Sequence, residues 1–180
     1  MKRKYWILAI TTPVVFIADQ LTKWLVVNFM EVGGRISIIP GFFDIVHFRN
    51  TGAAFGLFSG MPEAVRTPFF YIVAAVATVL LAFLYRTLGA RERLMPLAIS
   101  LVFGGIAGNI LDRMRYGSVV DFLSLHAGDA VVAGKVFGIH YRFPLEWPAF
   151  NIADSAITTA MILIVVSAVR GRRGENREGR

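Results

Sequence analysis

Cysteine is absent from the 180-residue chain. That excludes a disulfide framework, a thiolate zinc site and a cysteine nucleophile. Histidine is scarce at three residues, His47, His126 and His140, with no H-x-x-x-H spacing that would hold a metal. No G-x-S-x-G or Ser/Lys motif is present either. Charge is also thin: Asp, Glu, Lys and Arg make up 17% of the chain, against roughly 25% in soluble domains. What fills the space is apolar, at 56% hydrophobic residues and a mean hydropathy of +0.60. A chain this short makes one domain, and most of it goes into membrane spans. The net charge of +7 does not point to nucleic acid, because the basic residues sit in short blocks beside apolar runs, as topology signals do.

A helical span needs about 20 mostly apolar residues, and four stretches come close: about 6–29, 67–85, 94–111 and 150–169. Pro13 in the first is tolerable, since neighbouring helices satisfy a freed backbone group. The first stretch is read as retained, because no small-x-small cleavage site precedes a soluble domain. Lys2, Arg3 and Lys4 precede the first span, Arg86, Arg91 and Arg93 lie between the second and third, and Arg170, Arg172, Arg173, Arg177 and Arg180 follow the fourth. With four spans these clusters share one side, which places both termini and the short turn in the cytoplasm. The connections 30–66 and 112–149 then lie outside. The tail 170–180 is expected to be basic and disordered. Residues 36–58 mix β-branched and aromatic residues with Gly and Pro, which predicts short strands capping the bundle. Residues 122–149 carry Phe137, Tyr141, Phe143 and Trp147, which suit an interfacial element at headgroup level. The fold class expected is an all-α membrane protein: four transmembrane helices with a small extracytoplasmic β-cradle.

A charged side chain at mid-bilayer costs about 2.5–3.5 kcal/mol even on the lenient insertion scale, so each such group needs a partner or a task. Asp19 lies about 14 residues into the first span, some 21 Å from its cytoplasmic end at about 1.5 Å per residue. Lys23 is one helical turn further on the same face. That spacing fits an ion pair fixing the helix and equally a charged edge to a site. In the third span Gly104, Gly105 and Gly108 permit close helix approach. Asn109, Asp112 and Arg113 then share a face, with a structural network the favoured role for Asp112. Asp121 follows the third span. Asn151 and Asp154 open the fourth, where Asn151 reads as a helix N-terminal residue. Counting places Asp19, Asn109, Asp121 and Asp154 at similar depth, near the outer surface. Singly each is a cap or a packing group, and together they form a candidate site. Two nearby carboxylates share a proton, one acting as acid and the other as base, and such a pair can activate water against a peptide carbonyl. The same groups suit a proton relay. A headgroup transferase would need clustered cytoplasmic aspartates and a divalent metal, and a purely structural role remains the bland alternative.

Five segments, DQLTK (Asp19 to Lys23), RNTGAAFG (Arg49 to Gly56), GGIAGNILDR (Gly104 to Arg113), VVDF (Val119 to Phe122) and FNIADS (Phe150 to Ser155), together resemble lipoprotein signal peptidase, or signal peptidase II. Each motif is weak alone; five in order along nearly the whole chain are specific. The resemblance implies a monomeric, cofactor-free and metal-free aspartic endopeptidase of the bacterial inner membrane, with its site near the periplasmic face. It would cut diacylglyceryl-prolipoproteins on the N-terminal side of the lipidated cysteine, with membrane lipid and substrate, not nucleic acid, as partners. By motif position Asp121 and Asp154 would be the catalytic pair. Asn50, Gly52, Gly105, Gly108, Asn109, Arg113 and Asn151 would bind substrate or support the site, as would Asp19, Lys23 and Asp112, these three by holding it in shape. One departure stands out: Leu123 to Ala149, with Asp129, Lys135, His140, Arg142 and Trp147, is longer than is usual for the family.

Overall fold

The computed structural model describes residues 3–53, 57–89, 92–136 and 139–178. Lys2, Ala54 to Gly56 of the RNTGAAFG segment, Arg91, Phe137 and Arg180 lie outside the described residues, as do the side chains of Asp129, His140 to Phe143 and the basic tail. In chain order the elements are α1 (Arg3–Phe29), β1 (Arg35–Ile39), β2 (Phe43–Asn50), α2 (Glu63–Thr87), α3 (Leu94–Tyr116), β3 (Val119–Val136), β4 (Ile139–Phe150) and α4 (Ile152–Glu178). Four segments are long and apolar enough to cross a membrane: Arg3–Phe29, Glu63–Thr87, Leu94–Tyr116 and Ile152–Val169.

The observed helices are longer than the apolar runs alone suggested. The third continues to Tyr116, so Asp112 and Arg113 are helical residues and do not begin an outer connection. It stops at Gly117, which takes the left-handed conformation at φ 66° and returns its N–H to Arg113 O at 3.0 Å. A side chain there would oppose that conformation. The fourth helix runs on to Glu178, through a tail expected to be disordered. Arg and Glu are good helix formers, and up to Glu178 the tail has glycine at two positions, Gly171 and Gly174.

The all-α expectation needs correction. β1 to β4 form one antiparallel sheet in sequence order. The segment 122–149, expected as an interfacial element, is most of a long hairpin between β3 and β4. In VVDFLSL the polar residues Asp121 and Ser124 stand three apart, so the segment lacks the two-residue alternation that marks a strand. Along β3, Val120 and Phe122 turn inward and form the buried cluster with Val26 of α1. Because strand side chains alternate, Asp121 points to the opposite face. It pairs with Phe48 next to a register shift in β2, an irregularity that redirects side chains.

α3 is the central helix, packed on α1 and α4, and α2 touches α3 more sparingly. The close approach depends on glycine. A Cβ at Gly104 would come within 2.7 Å of Val15 Cβ, and one at Gly105 within 2.7 Å of Ala153 O. At the opposite end of the bundle α2 is held by a side chain. Buried Lys4 donates to the last carbonyls of α2, Tyr85 O at 3.0 Å, Arg86 O at 3.0 Å and Leu88 O at 2.8 Å, and Tyr85 Oη donates back to Lys4 O. A cation at a helix C-terminus is favourable on dipole grounds as well. Lys4→Met should therefore destabilise the protein by about 1–3 kcal/mol, read as a lower midpoint of thermal unfolding in detergent.

Candidate active site

Three elements meet where β4 ends and α4 begins. Asn151 caps α4: its Oδ1 accepts the Asp154 N–H at 2.9 Å, and Asp154 Oδ2 accepts the Asn151 N–H at 3.3 Å. This reciprocal pattern is a capping box with Asn and Asp in the two roles. The Asn151 amide also donates to Asp121 Oδ1 at 2.7 Å, Val120 O at 3.3 Å and Asn109 Oδ1 at 3.2 Å. One asparagine thus ties the first turn of α4 to strand β3 and helix α3, and touches both Asp121 and Asp154.

Each of these aspartates has a further amide partner. Asn50 Nδ2 donates to Asp121 Oδ2 at 3.0 Å, and Asn109 Nδ2 donates to Asp154 Oδ1 at 2.9 Å. Asn50 is itself held in a tight turn by the Gly52 N–H on its Oδ1 at 3.0 Å. Arg113 donates to Gly52 O at 2.8 Å and lies over the Phe70 ring, 4.2 Å from its centroid. Its buried Nε has no hydrogen-bond partner among the described residues. Burial of Asp121, and next the neighbouring Asp154 carboxylate, push the Asp121 carboxyl up to about 7, against the opposing hydrogen bonds from Asn50 and Asn151. A carboxyl that keeps its proton near neutrality can act as an acid there.

Beneath this pair sits a buried ionic cluster. Lys23 Nζ lies 2.9 Å from Asp19 Oδ2 and 2.9 Å from Asp112 Oδ2, and donates to Asn109 Oδ1 at 2.9 Å. Asp19 Oδ1 accepts the Ala153 N–H of α4 at 2.9 Å, and Asp112 Oδ2 accepts the Val120 N–H of β3 at 3.0 Å. Gln20 donates to Asp19, Asp112 and Gly108 O at 3.1–3.2 Å. Gly108 leaves room for Asp19, whose Oδ2 a Cβ at that position would strike.

The candidate residues named from the sequence are thus brought into one network, but not into one role. A cavity of about 1300 Å³ is lined by Asn50, Gly52, Asn109, Arg113, Asp121 and Asp154. Asp19, Lys23, Gly105, Gly108 and Asp112 are not part of its wall; they hold the helices and strand that form it. Of the two readings open for Asp19 and Lys23, the ion pair is the one observed. Two residues were not singled out in advance. Gln20 was visible as a polar interruption of a span and had no role attached. Phe70 was one aromatic among many in an apolar run, and no pattern separated it from lipid-facing neighbours.

Comparison with known proteins follows the same lines. The family model described as Signal peptidase (SPase) II matches residues 11–170. The lipoprotein signal peptidase of Syntrophotalea carbinolica is 39% identical over 167 residues, covering 93% of each chain. That of Geobacter metallireducens is 37% identical over 178 residues and 99% of each chain, and that of Staphylococcus epidermidis 37% over 172 residues and 94% of each. A bacterial membrane enzyme solved by the in meso method at 2.3 Å superposes with a TM-score of 0.74 and 32% identity, covering 91% of this chain and 87% of that one. The chain belongs to the signal peptidase II family and is a multi-pass membrane peptidase.

Removing the cation tests the ionic cluster. Lys23→Met leaves Asp19 and Asp112 buried without their counter-charge, a change that costs about 3–5 kcal/mol when one partner of a buried pair is lost. Thermal unfolding in detergent should show a drop in midpoint larger than that of Lys4→Met.

Proposed function

We propose, from membership of the signal peptidase II family, that the chain removes the signal peptide from diacylglyceryl-modified prolipoproteins, cutting on the N-terminal side of the lipidated cysteine with Asp121 and Asp154 as catalytic residues. The observation that carries the reading is the double hold of Asn151 on both aspartates, which line the large cavity. It presents two carboxylates to one space, fixed by neutral amides.

The pair shares one proton, and its site is Asp121, the carboxyl raised by burial and by its neighbour. In the forward reaction Asp154 takes a proton from water as the water oxygen attacks the scissile carbonyl. Asp121 then gives its proton to the leaving amine as the carbon–nitrogen bond breaks. The protonation states are exchanged at the end, and one proton transfer restores them. Asn109, Asn50 and Asn151 keep both carboxylates oriented without adding a charge. The Arg113 guanidinium, fixed by Gly52 and Phe70, borders the cavity.

The basic clusters support an orientation with both termini in the cytoplasm and the aspartates near the outer face of the inner membrane. The sheet then forms the extracytoplasmic cradle. Phe70 on α2, with Ile157 and Met161 on α4, gives the cavity an apolar arm suited to the signal helix, and the lipid chains stay in the bilayer. The enzyme acts as a monomer and draws its chemistry from these side chains.

Purified wild-type protein should cleave a lipidated, cysteine-containing precursor peptide. Asp121→Asn and Asp154→Asn should each lower kcat/KM at least about a thousandfold while still inserting and unfolding cooperatively; full activity in either variant sinks the assignment. The pH profile gives a second check. Below about 7 Asp121 holds its proton, and above it the acid is lost, so kcat/KM should fall on the alkaline side through an apparent pKa near that value.

A further inference from the structure

The cavity extends past the aspartates across the sheet, to Ser124, Glu146 and Arg35, which the reaction described above does not use. Arg35 bridges Asp44 at 2.7 Å and Glu146 at 3.0 Å, and Ser124 Oγ donates to the same Glu146 oxygen at 3.0 Å. His126 Nε2 lies 3.0 Å from Asp44. The chain of contacts crosses all four strands: Arg35 in β1, Asp44 in β2, Ser124 and His126 in β3, Glu146 in β4. Glu146 Oε1 takes both of its bonds, and Oε2 bonds to none of the described residues. Glu146 and Arg35 line the cavity; Asp44, 2% exposed, does not, and holds Arg35 and His126. Two further guanidinium groups line the cavity, Arg49 stacked over Tyr116 with its centre 4.4 Å from the ring centroid, and Arg113 over Phe70.

Position gives this cluster its meaning. Ser124 is three residues beyond Asp121 on β3, about 10 Å at roughly 3.3 Å per residue. Ile157 and Met161 lie three and seven residues beyond Asp154, about 4.5 Å and 10 Å along α4. α4 leaves the sheet where β4 ends, so the aspartates stand between an apolar arm on the helices and a polar arm on the sheet. A signal helix in the first must send the residues after the scissile bond over the second.

We infer that Ser124, Glu146 and Arg35 form a subsite for the third or fourth residue downstream of the scissile bond, selecting hydroxyl-bearing and cationic side chains over acidic ones. Glu146 presents an open carboxylate oxygen, and Arg35 and Ser124 hold its other oxygen in place. The inference rests on the peptidase reading.

The test uses diacylglyceryl-modified precursor peptides identical except for Lys, Ser or Asp at the third residue, then at the fourth, counting the lipidated cysteine as the first. For the wild type, kcat/KM for the Lys and Ser peptides should exceed that for Asp about fivefold, the size expected of one partly exposed charge contact. In Glu146→Gln the Lys-to-Asp ratio should fall toward one. Equal rates in the wild type, or a ratio unchanged in Glu146→Gln, overturn the subsite and leave the peptidase reading standing. Cleavage of none of the peptides overturns both.

Discussion

The site depends on one buried cation. Lys23 has a 2% relative exposure and meets two carboxylates and an amide oxygen. Burying a single charge in an apolar bundle is costly, and a cluster is retained only where hydrogen bonds saturate its members. Here the surplus acceptors reach outward. Asp19 receives the Ala153 N–H at the start of α4, and Asp112 receives the Val120 N–H next to Asp121. The ionic cluster thereby fixes the backbone on either side of the carboxylate pair. Asn109 completes the link, accepting from Lys23 and donating to Asp154.

The choice of asparagine for the remaining contacts is also electrostatic. A lysine or arginine in direct contact with both aspartates would favour the doubly ionised pair, which the proposed mechanism does not allow. A side-chain amide orients a carboxylate through hydrogen bonds and adds no net charge. Asn151 goes further, because its Oδ1 also terminates α4. Cap and site are one residue, which makes the start of the helix and the placement of Asp154 inseparable.

Several of these features were legible in the residues. The i,i+4 spacing of Asp19 and Lys23 gave their ion pair, the glycines of GGIAGNILDR gave the close approach of α1, α3 and α4, and Asn151 read as a helix start. Local patterns were sufficient because helix periodicity and capping operate within a few residues. α3 and α4 run past the apolar stretches read as spans, because lipid-facing apolarity ends before the helical backbone does, while the fourth span itself, Ile152–Val169, falls within the expected 150–169. The sheet was legible in part: short strands were expected in 36–58, but β3 pairs with β2 across more than sixty residues of chain, and no local signal encodes such a partner.

By itself the sequence determined that four apolar segments are long enough to cross a membrane, that cysteine chemistry is excluded, and which family supplies the motifs. Span length, charge cost and missing residue types are properties of composition and order, and they need no coordinates. Only the tertiary structure decided how the polar residues divide, with Asn50, Asn109, Arg113, Asp121 and Asp154 on the cavity wall and Asp19, Lys23 and Asp112 beneath it. Depth counting places groups along the membrane normal but says nothing of the direction in which each points. That direction is set by the rotation of packed helices and the register of a long-range strand pair, and both are settled only when the whole chain has folded.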